Sequence, residues 1–145
     1  MKVNFVKTNN LAKTPTRGSK YAAGYDLYAA TSYDIIVKPH QTVKIDTGLK
    51  MELPNGTFGA IYPRSGLATK QNLIIRNTVG IIDQDYRGNL IVALYNDSDV
   101  DQTVPAGSRI AQLVITPYVA VEFNDVEELN ETERGEGGFG STGVK

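Results

Sequence analysis

Through most of the chain, apolar and polar residues alternate in short runs separated by Pro, Gly or Asn, and helical periods are few. Alternation with a period of two places one face of a strand in a core, so an all-β domain is expected. Residues 3–6, 34–37, 42–47, 49–53, 57–62, 102–104, 109–115 and 119–123 read as strands. The turns between them fall at Pro39-His40, Pro54-Asn55-Gly56, Asp97-Ser98-Asp99 and Pro105-Ala106-Gly107-Ser108. His40, beside a proline, reads as an exposed turn residue and is given no role. The exception is Pro63-Arg64-Ser65-Gly66-Leu67-Ala68-Thr69-Lys70, where a proline and a small hydroxyl residue precede good helix formers. A short helix is expected there, and its first turn, with Arg64 and Ser65, is a plausible seat for phosphate.

The stretch from Asn77 to Gly88 interrupts the alternation differently. It is flanked by Leu73-Ile74-Ile75 and Leu90-Ile91-Val92-Ala93-Leu94-Tyr95, two apolar, β-branched runs of the kind that form buried strands. Between them stand Asp83, Asp85, Tyr86 and an Arg-Gly pair. In an extended chain Asp83 and Asp85 would share one face, with Gln84 and Tyr86 on the other. Gly80 would let a ligand approach the backbone. Asp and Gly are also ordinary turn residues, so a solvated surface hairpin accounts for the same letters.

Two other polar residues sit among apolar neighbours. Asp26 lies within Ala22-Ala23-Gly24-Tyr25-Asp26-Leu27-Tyr28 and needs a partner, either a structural one such as an arginine or a functional one. In the strand at 109–115, Arg109, Ala111, Leu113 and Ile115 would share one face, and Gln112 would lie on the other with Ile110 and Val114. The Gln112 amide needs a hydrogen-bond partner in the core or in a ligand.

Composition narrows the chemistry. At 145 residues the chain suits one domain. It has no cysteine and a single histidine, which excludes disulfides, thiolate metal sites and multi-histidine zinc clusters. Any metal would be hard and oxygen-bound. A net charge of −1 with dispersed basic residues gives no field for nucleic acid. No apolar signal stretch or membrane-spanning window is visible, so a soluble, intracellular protein (cytoplasm or host-cell cytoplasm, with the nucleus open) without membrane partners is expected.

Residues 124–133 are acidic, and Arg134-Gly135-Glu136-Gly137-Gly138-Phe139-Gly140-Ser141-Thr142-Gly143 is too glycine-rich for a core. The division expected is a β domain over 1–123 and a mobile arm over 124–145. Gly135, Gly137 and Gly140 match G-x-G-x-x-G in spacing, but no following helix or ribose-binding acid supports a dinucleotide site. The stretch from Arg134 to Gly143 carries one cation, one aromatic ring and two hydroxyls, a set suited to closing on a nucleotide.

Together the segments resemble the trimeric dUTP pyrophosphatase (dUTPase) family. Its five motifs occur in order as Ala22-Ala23-Gly24-Tyr25-Asp26-Leu27, Pro63-Arg64-Ser65-Gly66-Leu67-Ala68, Gly80-Ile81-Ile82-Asp83-Gln84-Asp85-Tyr86-Arg87-Gly88, Gly107-Ser108-Arg109-Ile110-Ala111-Gln112 and the arm from Arg134 to Gly143. Gln84 and Glu136 fall where the family varies. The resemblance implies a jelly-roll-like β barrel or sandwich and a homotrimer with active sites shared between subunits. It implies Mg2+-assisted hydrolysis of dUTP to dUMP and pyrophosphate, which limits uracil incorporation into DNA and supplies dUMP for thymidylate synthesis. Asp83 matches the general base, and Asp26 the residue that reaches the metal through water. Asn77, Thr78, Gly80, Tyr86 and Phe139 match positions for base and sugar; Arg64, Ser65, Gly66, Gln112, Arg134, Ser141 and Thr142 match positions for phosphates. A dCTP deaminase-related enzyme and a nucleotide-controlled regulatory protein on the same scaffold are the alternatives.

Overall fold

The computed structural model describes residues 1–138. Eleven strands and one helix follow one another as β1 (Asn4–Lys7), β2 (Tyr25–Tyr28), β3 (Ile35–Val37), β4 (Thr42–Asp46), β5 (Leu49–Glu52), β6 (Thr57–Tyr62), α1 (Ser65–Gln71), β7 (Leu73–Ile75), β8 (Gly80–Ile82), β9 (Ile91–Asn96), β10 (Gln102–Val104) and β11 (Arg109–Pro117). They form a four-stranded sheet ordered β2-β11-β6-β8, a three-stranded sheet ordered β4-β9-β7, and the pairs β1-β5 and β10-β3. Every named pairing is antiparallel. The all-β expectation holds, and the sheets stay open rather than closing into a barrel.

Alternation builds the core. In β9, Val92, Leu94 and Asn96 turn inward, and in β5 Leu49 and Met51 do so. They meet Leu27, Val37, Leu73, Leu90, Val104 and Ile110 in one continuous apolar cluster. Asn96 is fully buried there. Its amide nitrogen donates to the carbonyls of Val37 at 2.8 Å and Val100 at 2.7 Å, and its oxygen accepts from Ser98 N–H and Oγ. An amide has two donors and two acceptor sites, so Asn96 is saturated and ties β3, β9 and the turn after β9 together.

The expected short helix forms two residues later than its proline suggests. Arg64 stands at its N-cap without a side-chain cap bond, and Asn72 closes it in the left-handed conformation that Asn tolerates. The segment 119–123 is not a strand. Val119, Val121 and Phe123 are 85%, 66% and 95% exposed, because the alternating run finds no strand to pair with in its own chain. The hairpin expected at 73–95 is also different. β7 and β9 do pair, with Leu73 opposite Asn96, but the chain between them crosses to the other sheet and adds β8 to the edge of β6.

Candidate active site

One cluster forms around Asp26. Its Oδ1 accepts a hydrogen bond from Arg64 Nε at 2.9 Å and its Oδ2 one from Arg109 Nη1 at 3.2 Å. The Asp26 side chain is 13% exposed, against 27% for Arg64 and 49% for Arg109, so the carboxylate is the buried member and the guanidiniums open outward. Two cations against one anion leave the cluster positive, suited to an anionic ligand.

A β-bulge assembles it. In β11, Arg109 pairs with Tyr28 and Ala111 with Leu27, so Ile110 is an extra residue in the ladder. Asp26 and Tyr28 are two apart on β2 and share a face. Gln112, opposite Asp26, joins that face, and the bulge brings Arg109 onto it as well. Regular alternation would have separated Arg109 from Gln112, and the expectation that Arg109 shares a face with Ala111 fails here. Gln112 Nε2 donates to the Pro63 carbonyl at 2.9 Å, which fixes the chain as it enters α1, while its side chain lies against Gly24, where a Cβ would collide with the amide. Ser65 and Gly66 are exposed in the first turn of α1. Arg64 and Arg109, with Tyr28, Leu67, Gln71 and Ser108, line a cavity of about 360 Å³.

The second cluster is the turn that follows β8. Tyr86 N–H donates to the Asp83 carbonyl at 3.1 Å, and Arg87 Nη1 donates to the carbonyls of Gln84 and Tyr86 at 2.8 and 3.0 Å. The chain is therefore curled, not extended. Asp83, Gln84 and Asp85 all line one groove of about 710 Å³ with Phe58, Ile81 and Tyr118, in place of the alternation expected for Gln84. Asp83 is exposed to that groove. Tyr86 is 41% exposed, and its hydroxyl donates to the Asn89 carbonyl at 3.0 Å, which fixes the ring over the turn.

Asn77 is exposed, and the Thr78 hydroxyl donates to the Ile75 carbonyl at 2.5 Å, leaving the Thr78 backbone for any ligand. Gly80 is buried, and what a side chain there would crowd is Ile61 Cβ, 3.2 Å away, so its smallness serves the β6–β8 contact. Arg134 is exposed and its Nε donates to the Gly137 carbonyl at 2.9 Å. Phe139, Ser141 and Thr142 lie outside the described residues. Sequence reasoning missed Arg109, because a bulge leaves no mark in an alternating strand.

The two clusters are far apart in one chain. Ile82 pairs with Gly59, so Asp83 lies level with Phe58 at one end of β6, while Arg64 follows its other end. Six residue steps of extended chain lead from Phe58 to Arg64, about 20 Å.

Among the described residues, no group of three or more His, Cys, Asp or Glu could hold a metal ion. Asp26 still fits an outer contact to a hard cation. Each of its oxygens accepts one guanidinium bond and has capacity for a second donor, such as a metal-bound water. Mg2+ keeps several waters and takes few carboxylates beside substrate phosphates, which is the donor set available here.

The domain thus pairs an acidic turn at one end of β6 with a guanidinium pair, suited to an anion, at the other. The sequence pattern of the family described as dUTPase matches residues 10–143, and the chain belongs to that family. It is 50% identical over 139 residues to the mitochondrial deoxyuridine 5'-triphosphate nucleotidohydrolase of Dictyostelium discoideum, covering 96% of this chain and 75% of that protein. It is 45% identical over 145 residues to the protein of that name from Desulfitobacterium hafniense, covering 99% and 96%. Among solved structures, the dUTPase of Staphylococcus bacteriophage 80alpha with dUPNHPP is 32% identical, with a TM-score of 0.90 over 99% of both chains. A mutant dUTPase of phage phi11 of S. aureus, described as coordinating a structural Mg(II) ion, is 27% identical with a TM-score of 0.78, covering 88% and 98%.

Proposed function

We propose that this chain hydrolyses dUTP to dUMP and pyrophosphate by attack of water on the α-phosphorus, removing dUTP from the DNA precursor pool. What carries the reading is likeness along nearly the whole chain to proteins named deoxyuridine 5'-triphosphate nucleotidohydrolase.

Asp83 is the general base. An exposed carboxylate on a braced turn can accept a proton from water and orient it toward phosphorus. Uracil presents an acceptor, donor, acceptor edge, which the backbone around Thr78 and Gly80, with Asn77, can match while leaving cytosine unpaired. Tyr86 packs under the deoxyribose and leaves no space for a 2'-hydroxyl. Arg64, Ser65, Gly66 and Gln112 take the phosphates, and Asp26 holds Mg2+ through water. When bound, Mg2+ neutralises charge on the triphosphate.

Asp83 and Arg64 cannot serve one triphosphate from the same chain across about 20 Å. A homotrimer with shared sites resolves this, with the base and sugar subsite from one copy and the phosphate subsite from another. The unpaired run of Val119, Val121 and Phe123 supports exchange between copies, since an exposed alternating segment suits a neighbour's surface. The segment 124–145 is then the arm that closes over a neighbouring copy's site, with Phe139 on the base and Arg134, Ser141 and Thr142 on the terminal phosphate. No helix of the described residues is long and apolar enough to cross a membrane.

Pyrophosphate release from dUTP, dTTP, dCTP and UTP, each with Mg2+ and with a chelator, tests the reading. Metal-dependent release from dUTP alone is expected. Equal release from dTTP or UTP would overturn the base and sugar assignments. Folded protein that binds dUTP without releasing pyrophosphate would favour a nucleotide-controlled regulatory role, in line with the phage 80alpha protein, whose description has phage dUTPases controlling transfer of virulence genes.

A further inference from the structure

Residues 83–89 connect the end of β8 to Leu90, and most hydrogen bonds of 85–88 are internal. Tyr86 bonds to Asp83 and Asn89, and Arg87 bonds to Gln84 and Tyr86. Asn89 fastens the far end, its Nδ2 donating to Asp46 Oδ2 at 2.6 Å and to Thr8 Oγ1 at 3.3 Å, and the half that carries Asp83 is tied to a separate element by the Gln84 side chain. Its Nε2 donates to Asn55 Oδ1 at 3.0 Å, and its Oε1 accepts the Gly56 N–H at 2.9 Å.

The anchor itself is firm. Asn55 and Gly56 are the central residues of the turn joining β5 to β6, closed by Thr57 N–H and Oγ1 on the Pro54 carbonyl at 3.2 and 2.7 Å. Gly56 has φ +73°, the value a type II turn requires at that position and one that disfavours other residues. Its carbonyl accepts Tyr118 N–H at 3.1 Å, so the turn is also held by the chain leaving β11. Gln84 thus fastens the loop that carries Asp83 to a turn already fixed from two sides.

We propose that Gln84 is a positioning residue for the reaction: through Asn55 and Gly56 it sets where the Asp83 carboxylate stands relative to the bound phosphate. This rests on the reading of Asp83 as the base. Asp83 moves with its neighbour, because one peptide separates the two. With Asn89 still held and the Gln84 anchor released, the Asp83 end of the loop samples positions from which water is no longer aligned, and the reaction slows without loss of substrate affinity.

The test uses the full chain with Gln84→Ala, Asn55→Ala, the double variant and Gln84→Glu, measured for dUTP turnover and for amide hydrogen exchange. Losing two hydrogen bonds predicts that Gln84→Ala lowers kcat about tenfold with KM changed by less than about twofold, and that amides of 83–88 exchange about tenfold faster. Exchange in β11 stays unchanged. The double variant is no slower than Gln84→Ala, because both changes break one contact. Gln84→Glu keeps the acceptor for Gly56 and recovers most of the rate. Wild-type kcat in Gln84→Ala, with or without faster exchange, overturns the proposal, as do additive losses in the double variant. Asp83→Asn separates the two claims: if it keeps turnover, the base assignment fails whatever Gln84 does. If it is inactive while Gln84→Ala is unimpaired, the positioning role alone fails.

Discussion

Asp26 holds two arginines from different elements at once, Arg64 at the start of α1 through Oδ1 and Arg109 at the start of β11 through Oδ2. The carboxylate is the shared and least exposed partner, so substitutions at Asp26 and at Arg109 differ in cost. Asp26→Ala leaves two guanidiniums facing each other and is expected to destabilise the fold by about 2 to 3 kcal/mol. Arg109→Gln removes a half-exposed partner and is expected to cost less than about 1 kcal/mol. Urea unfolding of the two variants at equal protein concentration checks the order. A larger loss in Arg109→Gln would mean that the bulge, and not Asp26, holds the cluster.

Asp26→Asn keeps the shape and removes the charge. If Asp26 reaches Mg2+ through water, the Mg2+ concentration giving half-maximal rate rises about tenfold, the usual effect of losing an outer partner. Titration of the rate with Mg2+ at saturating dUTP measures it. An unchanged midpoint would restrict Asp26 to ordering its arginines.

Asp83→Asn is expected to lower kcat by about a thousandfold, the range of a lost general base, while leaving nucleotide affinity nearly intact. Calorimetric titration with a non-hydrolysable dUTP analogue, beside single-turnover rates, separates the two effects. Weak binding together with slow turnover would instead make Asp83 a substrate contact.

If the segment from Arg134 onward closes over the site, a chain ending at Glu133 loses about a hundredfold or more in kcat. Its unfolding midpoint should match that of the full chain, because the residues from Tyr118 to Glu136 are exposed and form no strand or helix. Full activity in the truncated protein would refute the closing arm.

Asn96→Ala tests the core. Removal of the amide strands the buried carbonyl of Val37 and releases Val100 and Ser98, so a loss of about 3 kcal/mol is expected in chemical denaturation. Loss below about 1 kcal/mol would mean that water takes over the four bonds.

The all-β class, most strand positions and the polar stretches that make up the two clusters were legible from the order of residues. The cause is local: alternation such as Val92, Leu94 and Asn96 has one favourable solution, one face in and one face out. The order of residues also carried Asp26, Arg64 and Asp83, because polar residues in apolar surroundings stand out. Tertiary structure alone decided what these groups touch. The bulge at Ile110 turned Arg109 toward Asp26, β8 crossed from one sheet to the other, Gln84 met the turn at Asn55 and Gly56, and Val119 to Phe123 lost its strand for want of a neighbour. Each depends on a pairing between distant segments, and a pairing is a property of two stretches of chain that neither stretch encodes alone.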